Sequence, residues 1–146
     1  MIREMTENDK TMYFEMADKF YHSPAVSHSV PKMCFQANFT EMIGAKNYLE
    51  GYIIEEGNEV VGFAVVAKTF ASEVGGLCVW VEDIYVKPEF RGQGLGREFF
   101  NFLQKKYLWT AKRLRLEVSS ENSRAITLYK RLGFSEIPYK QLFKDL

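Results

Sequence analysis

Cysteine is nearly missing from this chain of 146 residues, with Cys34 and Cys78 the only two. They show neither metal-ligand spacing nor a disulfide framework, which argues against a disulfide-stapled secreted domain and against a zinc module. No metal is expected, and Cys78, inside a strand-like run, is read as core rather than as a catalytic thiol. Excess charge of either sign is also missing, since 19 Lys plus Arg balance 19 Asp plus Glu. That leaves no strongly basic face for nucleic acid or an anionic membrane. The longest apolar run, Val60 to Ala67, is far too short to span a bilayer, and Met1 to Lys10 is too charged for a secretory signal. The expectation is a soluble, cytoplasmic protein. Repeats, linkers and low-complexity segments are absent, and the length suits a single domain over residues 1–146.

What is present divides into short, strongly patterned segments. Met1 to Met5 suits a first strand, and Thr6-x-x-Asp9 is a capping pattern opening a helix to about Phe20, with Met12, Met16 and Phe20 on its core stripe. Tyr21 to Pro31 holds both histidines, His22 and His28, and reads as a loop before a second helix over Lys32 to Leu49. Gly57-Asn58 between apolar runs is a hairpin signal. Cys78 to Val86 reads as a strand stopped by Lys87-Pro88, and Leu95, Phe99, Leu103 and Tyr107 recur as one helical stripe. Leu114-x-Leu116-x-Val118 alternates as a strand, Ser123 to Leu132 as a helix ended by Gly133, and Phe134 onward as two short strands. The order β-α-α-β-β-β-α-β-α-β-β is that of an α/β sheet.

The most informative stretch is Arg91-Gly92-Gln93-Gly94-Leu95-Gly96, a basic residue and three glycines between a strand and an amphipathic helix. Backbone N–H groups of the loop and first helical turn point outward there, with the positive end of the helix dipole behind them. An anionic cofactor fits. A P-loop would need Gly-Lys-Ser/Thr, but Gly96 is followed by Arg97-Glu98. A dinucleotide fingerprint would need Gly-x-Gly-x-x-Gly early in the chain, so that reading is weak as well.

Arg-x-x-Gly-x-Gly after a strand resembles the acetyl-CoA loop of the GNAT superfamily of N-acetyltransferases. Ile84-Tyr85-Val86-Lys87-Pro88 precedes it, and Leu116-Glu117-Val118, Asn122 and Leu128-Tyr129-Lys130-Arg131-Leu132-Gly133-Phe134 follow in the family's order and spacing. The resemblance is specific from about Trp80 to Phe134. It implies a mixed, mostly antiparallel central sheet flanked by helices, with acetyl-CoA or coenzyme A as cofactor. Cofactor contacts would come from Ile84, Tyr85 and Val86, from Arg91, Gly92, Gln93, Gly94, Leu95, Gly96 and Arg97, and from Asn122 and Ser123. The clusters Lys105-Lys106, Lys112-Arg113-Arg115 and Lys130-Arg131 are read as solvated faces, one or two of which can meet the 3′-phosphate of coenzyme A. A homodimer is compatible with the resemblance.

Acetyl transfer from a thioester to an amine needs a base for the ammonium, a donor for the developing oxyanion and an acid for the departing thiolate. Tyr129 occupies the family's general-acid position, although a tyrosine there can also simply pack beside Leu128 and Leu132. Asn122 would contact the cofactor, and an asparagine before a helix is equally an N-cap. Val81-Glu82-Asp83-Ile84-Tyr85-Val86 is similar to the strand of spermidine/spermine-type acetyltransferases, with Glu82 as favoured base and Asp83 as partner for a cationic acceptor. Glu117 matches instead the base position of ribosomal-protein alanine acetyltransferases. His28 is a further candidate for acceptor binding, and an exposed loop histidine is its plainer reading. The function expected is acetylation of a small primary amine or polyamine, with protein N-terminal or lysine acetylation and a catalytically silent CoA-binding module as alternatives.

Overall fold

The computed structural model describes all residues 1–146. Its order is β1 (Ile2–Glu4), a 3-10 turn (Glu7–Asp9), α1 (Lys10–Tyr21), α2 (Lys32–Ile43), β2 (Leu49–Glu56), β3 (Glu59–Ala71), β4 (Gly76–Val86), a 3-10 turn (Pro88–Phe90), α3 (Leu95–Tyr107), β5 (Ala111–Leu116) and α4 (Ser123–Arg131). One sheet runs β1-β2-β3-β4-β5. Its first three pairings are antiparallel, and β4 with β5 is parallel. A parallel pair needs a crossover, and α3 supplies it.

The Thr6-x-x-Asp9 pattern starts the first helix as expected. The Thr6 N–H and hydroxyl both donate to Asp9 Oδ2, at 2.8 and 2.9 Å. Paired hydrogen bonds from Arg3, 2.8 Å each, hold the Asp9 carboxyl down at about 2. α1 buries Tyr13, Met16, Ala17, Phe20 and Tyr21, while Met12 packs at the margin. The second helix is shorter than its apolar pattern implied. It ends at Gly44, a poor helix residue, and Lys46 adopts φ 53°, so Leu49 begins a strand opposite Ala67. Gly57-Asn58 turns the β2–β3 hairpin, with φ 54° and 71°.

Helices cover both faces. α1 and α2 pack on Ile53, Phe63, Val65 and Tyr85. On the other face Phe99, Phe100, Leu103 and Tyr107 of α3 meet Tyr52, Ala64, Val66, Val79 and Val81, with Tyr129 of α4 and Leu132 just after it alongside. The two expected terminal strands do not form, for nothing after Leu132 is helix or strand. Pro138 cannot donate to a ladder, and Leu142-Phe143 breaks the alternation set by Ile137 and Tyr139. No helix is long and apolar enough to cross a membrane.

Candidate active site

The sheet departs from regularity in β4. Asp83 stands opposite Val65, and Val81 opposite Val66, so Glu82 is an extra residue with no partner on β3. Such a bulge reverses the alternation of side chains between faces. Val79 and Val81 pack toward α3 before it, whereas Asp83 and Tyr85 turn toward α1 after it. Glu82 itself opens to solvent. On its other edge, β4 pairs with β5 from Leu77 opposite Ala111 to Val81 opposite Leu116 and no further. Beyond that point the strands part, and backbone groups of Glu82–Val86 aimed toward β5 have no strand to bond.

At this parting, Glu82 and Glu117 share a recess of about 300 Å³ with Thr69, Trp80, Val81 and Gln141. Two acidic positions that the sequence offered as alternatives are thus neighbours. No cation lines the recess. Partial burial, and then the charge of Glu117, push the Glu82 carboxyl above its ordinary range. Arg115 lies 4.2 Å over the Trp80 ring and is not among the residues lining the recess. Asp83, expected beside Glu82 as a partner for the acceptor, is carried by the bulge onto the α1 face, where it meets Tyr21 instead of lining the recess. Asp83 is 8 % exposed, and its carboxylate accepts the Tyr21 hydroxyl hydrogen. Burial raises it to about 6, the Tyr21 hydrogen bond opposes that rise, and Glu82 adds to it.

Tyr129 stands on the other face of β5, in a cleft of about 1100 Å³ with Leu114, Leu116, Ile126, Leu132 and Phe134. The end of its helix fixes it there. Gly133 at φ 88° lets its own N–H reach the Lys130 carbonyl and the Phe134 N–H reach the Tyr129 carbonyl, at 3.1 and 3.0 Å. Phe134 then packs on the Tyr129 ring, with centroids 6.0 Å apart, and Phe100 supports both. Burial raises the Tyr129 phenol, which keeps it protonated. Tyr129 and the Glu82–Glu117 pair therefore flank the same parting strands from opposite faces.

The glycine loop adopts the geometry its composition implied. Gly92 and Gly94 take φ 84° and 92°, and Gly94 is the N-cap of α3. The first-turn N–H groups of Leu95, Gly96 and Arg97 have no intrahelical partner. A Cβ built on Gly94 would meet nothing within 4 Å, so the approach is open. Arg91 is tied back by its Nε to the Val86 carbonyl at 2.8 Å and lies 5.7 Å over the Tyr85 ring. Gln93 bonds the Glu89 carbonyl. These features fit a cofactor pyrophosphate.

Other expectations land differently. Asn122 Oδ1 accepts from the Ala125 N–H at 3.2 Å, an N-cap contact, and the Ser123 carbonyl accepts the Thr127 hydroxyl hydrogen. His28 lies in the exposed loop against Ser27 and lines neither recess nor cleft. Three residues were missed. Arg124 brings its guanidinium 2.9 Å from where a Gly92 Cβ would stand, and its signal was a basic residue in the first turn of α4. Tyr21 and Gln141 gave no sequence signal, because only the fold carries them to β4.

The chain belongs to the acetyltransferase (GNAT) family, whose model matches residues 11–134. That membership makes it an acetyl-CoA-dependent N-acetyltransferase by class. Among curated proteins it is similar to the thialysine N-epsilon-acetyltransferase of Mus musculus, 28% identical over 93% of this chain and 84% of that protein. The Bos taurus protein of the same name is 39% identical over 56% of this chain, a stretch that spans 48% of the bovine protein. Among solved structures, AAC(6')-Iy in complex with the bisubstrate analog CoA-S-monomethyl-acetylneamine superposes with a TM-score of 0.81 at 20% identity. That superposition covers 100% of this chain and 97% of the other.

Proposed function

We propose that this protein acetylates the primary amine of a small cationic, polyamine-like acceptor, with Glu82 as base and Tyr129 as acid. The observation that carries the reading is the convergence of Glu82 and Glu117 on a cation-free recess where β4 and β5 part. The charge of Glu117 disfavours ionisation of Glu82, and an ammonium-bearing acceptor would relieve that repulsion. Relatives named for acetylation of thialysine, and a structural neighbour complexed with an acetylneamine analog, support a small-amine acceptor.

When bound, acetyl-CoA supplies an acetyl thioester. Arg91 and the N–H groups from Gly92 to Arg97 would hold its pyrophosphate, with Arg124 adding positive charge. Glu82, raised by its surroundings, takes the proton that an amine of pKa near ~10 carries at neutral pH. Unpaired N–H groups within Ile84–Val86 donate to the carbonyl oxygen as it gains charge. Tyr129, kept protonated by burial, donates to the departing sulfur. Glu117 assists by attracting the acceptor's charge.

Protein amine acetylation is the second reading, favoured by Glu117 itself lining the recess. Release of free thiol from acetyl-CoA across a panel of diamines, aminoglycosides, amino acids and peptides, with products identified by mass spectrometry, separates the two. A small diamine or lysine-like amine should react fastest. Preference for peptides would favour the second reading, and no release with any acceptor would leave a silent CoA-binding module.

A further inference from the structure

The bulge leaves Glu82 unpaired beside the recess, with Asp83 and Tyr85 on the α1 face, only if the strand beyond it keeps its shifted phase. A slip of one residue would return Glu82 to a ladder position and rotate every later side chain to the other face. The contact that resists this slip sits one residue away. Asp83, opposite Val65, accepts a hydrogen bond from Tyr21, the last residue of α1. Tyr21 is itself fixed, 9 % exposed and stacked on Phe35 of α2 with ring centroids 5.0 Å apart and planes 20° apart. Tyr13, buried on the same helix, makes no hydrogen bond to Asp83, so the bond comes from Tyr21.

A buried carboxylate is a poor choice for cohesion alone, because charge taken from water costs more than a packed apolar side chain of similar size. Its place beside the bulge gives it a use. We infer that Tyr21 and Asp83 are positioning residues that clamp β4 to α1, fixing the phase of the bulge and so aiming Glu82 at the acceptor and the Ile84–Val86 backbone at the parted strands. Asp83 then acts through the strand and not by touching the acceptor. This inference rests on the proposed role of Glu82 and of the β4 backbone.

Four variants test it in steady-state assays with acetyl-CoA and a diamine, run well below each melting temperature: Tyr21→Phe, Asp83→Asn, Glu82→Gln and the double Tyr21→Phe/Glu82→Gln. Tyr21→Phe keeps the stack on Phe35 and loses only the donor. Its kcat should fall roughly 10- to 100-fold, the scale of a displaced reacting group, with the acetyl-CoA KM unchanged. Asp83→Asn still accepts the Tyr21 hydroxyl hydrogen through its amide oxygen and should keep kcat and diamine KM within about 2-fold of wild type. The double variant should be slower than Glu82→Gln by less than the Tyr21→Phe loss in the wild-type background, because part of what the clamp positions is Glu82. Wild-type turnover in Tyr21→Phe would overturn the inference, as would a large rise in diamine KM in Asp83→Asn, which would make Asp83 a direct partner of the acceptor. Wild-type turnover in Glu82→Gln beside a slow Tyr21→Phe would remove the base assignment and leave the clamp acting on the backbone donors, so the two readings fail separately.

Discussion

Tyr129, the proposed acid, lies inside a hydrophobic stripe. Its ring packs on Phe100 and Phe134, and the residue also lines the larger cleft on that face of β5. The packing and the catalytic readings describe two ends of one side chain. Tyr129→Phe should preserve fold and cofactor affinity while lowering kcat by roughly 10²-fold, the contribution of one general acid. Single-turnover measurement of the chemical step, beside calorimetric affinity for coenzyme A, checks this, and unchanged chemistry would return Tyr129 to the core. Asn122 caps α4 through its Oδ1.

Among the elements, the start of α3 is the proposed cofactor site and its end bonds a partly buried carboxylate. Gly94 sits at φ 92° with open space before it, so Gly94→Val both strains the backbone and fills the approach to the first-turn N–H groups. Calorimetry should show at least a ~10-fold loss of coenzyme A affinity in a folded variant, a cost of about 1.4 kcal/mol. Unchanged affinity would remove the loop from the cofactor site. At the other end of α3, Tyr107 donates to Glu50 at 2.6 Å, Tyr52 donates to it at 2.5 Å, and Lys68 pairs with it at 3.1 Å. Burial pushes the Glu50 carboxyl up, but these bonds and the Lys106 charge outweigh it and hold it at about 2. A group depressed from 4.5 stabilises the fold above that pH, and the contribution fades as pH falls toward about 2. Glu50→Gln should therefore lose about 2 kcal/mol at neutral pH, a typical value for hydrogen bonds to a charged group, and less at low pH. Thermal melts from neutral pH down to about pH 3 read the difference.

Over the whole molecule, the sequence disclosed whatever depends on local pattern. The Thr6–Asp9 cap, the Gly57-Asn58 hairpin, the α3 stripe and the Gly133 stop each lie within a few residues of what they control. The family match over residues 11–134 follows from motifs of that kind. What stayed hidden depends on register between distant strands. Nothing in Val81-Glu82-Asp83-Ile84 reveals that Glu82 is unpaired, so the sequence does not show that the bulge turns Asp83 onto the α1 face to bond Tyr21 while Glu82 opens into the recess. The meeting of Glu82 with Glu117, and of Asp83 with Tyr21, appears only when β4, β5 and α1 are assembled. The tail misled for the opposite reason, because apolar residues suggested strands that Pro138 and the adjacent Leu142-Phe143 do not support.

The central claim is that the recess at the parted strands deprotonates a small cationic amine through Glu82. The most direct measurement is the pH profile of kcat/KM for wild type, Glu82→Gln and Glu117→Gln, each with a diamine and with a peptide amine. Because the Glu82 carboxyl is raised, the wild-type profile should climb as it ionises, on a limb above the ordinary carboxylate range. Glu82→Gln should lose that limb and roughly 10²-fold of rate at neutral pH with the diamine, recovering part of it at high pH as free amine accumulates. Glu117→Gln should mainly raise the diamine KM. A large loss confined to Glu117→Gln, greater for the peptide than for the diamine, would contradict the account and move both the base and the acceptor class to the protein-acetylating alternative.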